Sequence, residues 1–157
     1  RCFVLTLWPM VAGSSKLIRK ATDDEIRWVS KAMGYHPSGC VRGVAILEAQ
    51  SLGACVLYDH WTPAAVQVHV CAPSLKTLFD ARSLHEIFYY PFVTAGRKLL
   101  VAVTPANQRG SLAVSSWLGF KEKYRIRDGW ASGVDMILKE LRREDCRFIQ
   151  QDVKSAG

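Results

Sequence analysis

The chain has 157 residues, 49% of them hydrophobic and 22% charged, with a net charge of +7 from 21 basic and 14 acidic side chains. This suits one compact α/β or α+β domain with a real core, and without a run of about twenty apolar residues nothing is expected to span a membrane. The five cysteines are odd in number and contain no C-x-x-C pair, which argues against a disulfide framework or zinc site and for a reducing cytoplasm.

The basic excess is spread along the chain and alternates with acids, as in Lys121-Glu122-Lys123. That disfavours nucleic-acid binding. It suits an anionic ligand such as a nucleotide phosphate, and a solvated surface equally well.

Residues 1–15 hold one basic residue, an apolar run and small residues, as a weak signal peptide does. Pro9 and the missing Met read instead as an extension, an expression scar or a domain fragment, with Cys2–Leu7 able to add an edge strand or a dimer contact. The main domain is expected from Lys16 to Gly157.

Lys16–Ala21 alternates apolar and polar residues, as a half-buried strand does. Thr22-Asp23-Asp24-Glu25 is a capping box; Ile26, Val29 and Met33 then share a helical face until Gly34. Strands are expected at Val41–Gln50, Gly53–Tyr58 and Ala64–Ala72, too closely spaced for parallel pairing. Asp80–Tyr90 reads as a helix with Leu84, Ile87 and Phe88 inward and Pro91 as its end or kink. Lys98–Thr104 is a nearly continuous apolar run, the mark of a central strand covered on both faces. A helix over Gln108–Leu118 stops at Gly119, and strands Phe120–Arg127 and Val134–Leu141 flank a loop at 128–133. The expected fold is one mixed, mostly antiparallel sheet flanked by helices, in the order β-α-β-β-β-α-β-α-β-β.

This order resembles the GNAT superfamily of acyl-CoA-dependent N-acetyltransferases over about Lys16 to Arg147. Its most specific part is Val101-Ala-Val-Thr-Pro-Ala-Asn107, the helix, and Leu118-Gly119-Phe120. The ending, with Asp145-Cys146-Arg147, is similar to small GNAT-like proteins of phage genomes. The resemblance implies transfer of an acetyl group from acetyl-CoA, as co-substrate, to a primary amine on a small molecule or protein, in the cytoplasm (the host's, if phage-encoded). It implies parallel strands Ala65–Ala72 and Lys98–Thr104 that part around the pantetheine, a pyrophosphate on the following helix N-terminus, and a homodimer through the last strands. The acceptor is left to the first helix, the 34–41 loop and the 128–133 hairpin.

Carried over residue by residue, this implies Val70, Cys71, Ala72, Asn107 and Ser111 for the pantetheine, with Lys76 and Thr77 near the pyrophosphate. His69 is the candidate base, the alternative being a histidine hydrogen-bonded within the sheet; Asp59-His60 is held in reserve. Ser115 stands where many members have an acidic Tyr, and is a far weaker acid. Tyr90 and Tyr124 read as packing residues. Trp130 at the hairpin tip is a candidate contact for a substrate or second subunit. The family's phosphate loop is glycine-rich, whereas 71–82 has no glycine at all. The rival reading is therefore a catalytically silent GNAT-fold binding protein, virion-associated or host-directed.

Overall fold

The computed structural model describes residues 16–150; the expectations for residues 1–15, Cys2–Leu7 included, lie outside them. Seven strands and three helices follow in the order β1 (Leu17–Lys20), α1 (Asp23–Met33), β2 (Arg42–Glu48), β3 (Ser51–Asp59), β4 (Ala65–Cys71), α2 (Ala81–Tyr89), β5 (Leu99–Pro105), α3 (Arg109–Trp117), β6 (Lys121–Ala131) and β7 (Val134–Arg142). They build one mixed sheet, flanked by helices, with strand order β1-β2-β3-β4-β5-β7-β6. This is the architecture expected from the sequence. β4 and β5 pair in parallel, while β1–β2, β2–β3, β5–β7 and β6–β7 pair antiparallel.

The chain divides into two compact units. Among the described residues, one comprises 16–60 together with His69–Ile87; the other comprises Trp61–Val68 and 88–150.

In the first unit, the Thr22 hydroxyl accepts from the Glu25 amide and the Glu25 carboxylate accepts from the Thr22 amide, closing the capping box. Glu25 also holds Arg19 through two guanidinium bonds of 2.8 and 2.7 Å. Gly34 ends α1 at φ 61°, a left-handed cap that suits glycine. Ile26 and Val29 then pack with Ala21, Ala45, Leu47, Cys55 and Leu57. Gly43 makes this packing close, because a Cβ there would stand 2.9 Å from the Ala21 Cβ.

The β2–β3 turn is a correction. Ser51 and Leu52 belong to β3, and the turn falls at Ala49-Gln50, both at positive φ (50° and 66°). A two-residue hairpin needs that geometry, and Asn-Gly usually signals it. Here neither residue announces it.

In the second unit α2 gives way to a π-helical turn, Tyr90–Thr94, closed by the Ala95 amide on the Tyr90 carbonyl. Pro91 sits inside that wider turn, which does not demand the amide proline lacks. Tyr90 meets Trp61 edge-on, and Arg97 lies over the same indole, 5.4 Å from its centre. Gly119 (φ 101°) ends α3 and Phe120 is buried, as expected.

β6 runs on to Ala131, so Trp130 lies in an irregular strand end beside the turn. Tyr124 is 68% exposed and is not a packing residue. Every residue of β6 is exposed, as suits the last strand of the sheet.

Candidate functional site

The most concentrated polar chemistry in the first unit surrounds Asp59 at the end of β3. Its carboxylate has no exposed surface, yet it accepts four hydrogen bonds: from the Tyr35 and Ser38 hydroxyls, from the Ser38 amide at 2.7 Å and from the His60 amide at 2.8 Å. Burial pushes its pKa up, but the four donors outweigh burial and hold it down at about 2. Burial and the same bond raise the Tyr35 phenol well above its usual range.

One buried anion thus fixes the loop after α1. Asp59 was legible as a turn residue beside His60. Tyr35 and Ser38 lie more than twenty positions away, and no spacing rule joins them to it.

His69 on β4 lies against this cluster, its ring centre 4.1 Å from that of Tyr35. Burial lowers its pKa to about 4, although the Asp59 charge pulls the other way. The imidazole is therefore neutral near pH 7. Its Nε2 is buried and makes no hydrogen bond among the described residues, so the alternative of a histidine satisfied within the sheet does not describe that nitrogen. Of the expected pantetheine contacts nearby, Val70 is exposed while Cys71 and Ala72 are half-buried.

The segment after β4 holds a closed arrangement that sequence reasoning missed. Asp80 caps α2, its Oδ1 accepting from the Ser83 amide at 3.0 Å and its Oδ2 from the Ser83 hydroxyl at 2.6 Å. The Lys16 ammonium bonds the same carboxylate and the Thr77 carbonyl. Burial raises the Asp80 pKa, but Lys16 and Ser83 bring it down to about 2.

Two expectations change in consequence. Thr77 is buried, its methyl against Gly53, so its side chain does not face an incoming phosphate. The N-terminus of α2 already holds an anion, the chain's own. Lys76 and Arg82 stay exposed and make no ion pair among the described residues.

In the second unit the parallel pairing runs from Ala65–Leu99 to Gln67–Val101 and ends there, while β5 continues to Pro105 with β7 on its other edge. Asn107 lies in the turn after β5, exposed; Gln108, not Asn107, is the N-cap of α3, and it caps without a side-chain bond. The asparagine amide is thereby left for another partner. It borders an open groove of about 370 Å³ together with Ala106, Arg109, Gly133, Val134 and Asp135. Ser111 is exposed in the first turn of α3, its hydroxyl on the Gln108 side chain at 3.3 Å.

Ser115 is placed differently from expectation. It is buried, donates to the Leu112 carbonyl at 3.0 Å and accepts from the Lys139 ammonium at 3.0 Å. A hydroxyl so engaged has no proton turned toward a ligand. Lys139, 4% exposed on β7, also bonds the Leu112 carbonyl and the Ser116 hydroxyl, at 2.8 and 2.7 Å. Burial lowers its pKa.

No protein-family model matches the sequence, and no curated protein matches it. Solved structures do match the fold. A single-residue variant of the spermidine N-acetyltransferase SpeG from Vibrio cholerae is 8% identical, with TM-score 0.67 over 87% of this chain and 98% of that one. The dodecameric SpeG in an intermediate state is 9% identical, with TM-score 0.65 over 82% and 94%. The N-acetyltransferase PseH from Campylobacter jejuni, solved with acetyl coenzyme A, is 11% identical, with TM-score 0.54 over 77% and 79%. The chain shares the fold of these N-acetyltransferases.

Proposed function

We propose that this chain is a GNAT-type N-acetyltransferase that moves an acetyl group from acetyl-CoA to a primary amine. The observation that carries the reading is the parallel β4–β5 pair, which closes at Gln67–Val101 inside the seven-stranded fold shared with PseH and SpeG. Where parallel pairing stops, strand edges keep amide and carbonyl groups free, and an extended amide-bearing arm can complete them.

The pantetheine arm fits this chain. In this reading the edge of β5 past Val101, Asn107 and Ser111 receive its amides. The pyrophosphate does not fit the N-terminus of α2, which Asp80 fills; Lys76 offers it only an exposed charge.

Acetyl-CoA supplies a thioester carbonyl open to a neutral amine. His69 takes a proton at Nε2. An imidazole held near pKa 4 is too weak a base to strip an ammonium. It can accept a proton once the nitrogen has begun to bond carbon and its N–H has become strongly acidic. Ser115 is committed to Leu112 and Lys139, so the departing thiolate takes its proton from water.

The groove at Asn107 supports an acceptor site on the hairpin side, where Asp135 is already engaged by Arg125 and by the Asp128 amide. The exposed β6, with Tyr124, Ile126 and Trp130 on it, supports a homodimer. The cytoplasmic setting rests on the cysteine pattern and the sequence resemblance, and the phage-encoded one on the resemblance alone.

A thermal-shift titration with acetyl-CoA, followed by thiol release with a panel of primary amines that includes spermidine, tests the reading. Ligand at 100 times its Kd adds about 2.7 kcal/mol of stability, and thiol release should depend on the amine. The second reading, a silent GNAT-fold binding protein, is favoured by the Asp80-filled helix end and predicts no shift at millimolar ligand.

A further inference from the structure

We propose that the chain recognises its acyl donor through the pantetheine arm alone, because the helix end that would receive a pyrophosphate is occupied by the chain's own carboxylate. The inference rests on the acetyltransferase reading and narrows its donor class to acyl thioesters of pantetheine, with or without the nucleotide.

A helix N-terminus binds phosphate through unpaired amides and the positive end of the dipole. At α2 the dipole is taken, and with it part of the amide set. The Ser83 amide is on Asp80 Oδ1 and the Leu84 amide is on the Asp80 carbonyl, at 3.0 Å each. The Asp80 charge sits on the dipole, and Lys16 joins it from the start of β1, 64 residues away.

This arrangement is reinforced. Lys16 also bonds the Thr77 carbonyl at 3.0 Å, and Ser83, fully buried, gives Oδ2 its hydroxyl. An entering pyrophosphate would meet a carboxylate whose cation is already spent, and swinging Asp80 away would leave the Ser83 amide and the proton of the buried Ser83 hydroxyl without their acceptor. No glycine in 71–82 lets the backbone close tightly on a phosphate instead. Lys76 and Arg82 remain as exposed charges that salt screens.

The transfer itself needs nothing from the nucleotide. The amine nitrogen bonds the carbonyl carbon, the C–S bond breaks with its electron pair on sulfur, and free pantetheine leaves as the thiol with one proton gained.

The test is binding of acetyl-CoA and acetyl-pantetheine, by calorimetry, to the full chain and to Asp80→Asn. Asparagine keeps an oxygen for the Ser83 amide, drops the charge and releases Lys16 from its ion pair with Asp80. Asp80→Ser, another good N-cap, is the control should Asp80→Asn fail to fold. The two ligands should bind the native chain within about threefold of each other, while Asp80→Asn should favour acetyl-CoA by roughly tenfold or more through tighter acetyl-CoA binding alone. Native preference for acetyl-CoA by about thirtyfold or more would overturn the proposal, as would a substitution that changes both affinities equally. If neither ligand binds either protein, the acetyltransferase reading itself falls and takes the proposal with it.

Discussion

Replacing Asp59 with asparagine removes the buried charge and one of the two acceptor oxygens at nearly constant shape, and two routes give the cost. A carboxyl held at about 2 rather than 3.8 contributes roughly 2 kcal/mol at neutral pH, at about 1.4 kcal/mol per unit. Counting bonds instead, the amide NH2 cannot accept, so two of the four donors on Asp59 lose their acceptor. Donors left unsatisfied in a buried site cost about 1–3 kcal/mol each, so a total loss of roughly 2–4 kcal/mol satisfies both routes. The assay is urea unfolding of both proteins at a series of pH values. A carboxyl with a depressed folded pKa contributes its full stability above the unfolded value of 3.8 and loses it as pH falls through about 2. The gap between native and variant should therefore be full at pH 7 and shrink between about pH 4 and 2. A gap under about 1 kcal/mol at pH 7, or one that does not shrink in acid, would refute the reasoning.

Other substitutions probe the neighbouring structure. His69 should titrate near 4 by NMR, and a midpoint at or above its ordinary value of about 6.5 would contradict the burial that lowers it. Because its folded pKa is depressed, its contribution to stability is complete above about 6.5 and is lost as pH falls toward the folded value. Lys139→Met trades three hydrogen bonds for relief of a buried charge, and should cost less than about 1.5 kcal/mol in chemical denaturation; Lys139→Glu, facing the Leu112 carbonyl, should cost more than about 3 kcal/mol. Gly43→Ala puts a methyl 2.9 Å from the Ala21 Cβ and 3.0 Å from the Leu57 Cδ2, and overpacking of that kind lowers stability by about 1–3 kcal/mol on the same measurement.

The elements that proved legible were those whose cause is local. Thr22 with Glu25, Gly34 and Gly119 each fix a helix end through their own backbone, and the apolar run of β5 marks its inner place in the strand order, although only Leu100 and Pro105 of it are buried. The β2–β3 turn was misplaced because Ala49 and Gln50 adopt positive φ without the residues that usually signal it. The candidate site was less legible, for a different reason. His69 was found by its place on β4, but its surroundings are tertiary: Tyr35 and Ser38 reach Asp59 from 24 and 21 positions away, and Lys16 reaches Asp80 from 64. Ser115 holds the position of the family's acidic Tyr along α3, and only the fold shows that Lys139 and Leu112 already engage its hydroxyl. The glycine-free stretch before α2 pointed to an altered phosphate site, and Asp80 is its physical content.

Acetyl-CoA titrated into the full chain, followed by thermal unfolding, tests the central claim most directly. The acetyltransferase account predicts a rise in Tm that saturates with ligand and reaches about 2.7 kcal/mol of added stability at 100 times the Kd. An unmoved Tm at millimolar acetyl-CoA would contradict it, leaving the fold of an acetyltransferase without the donor.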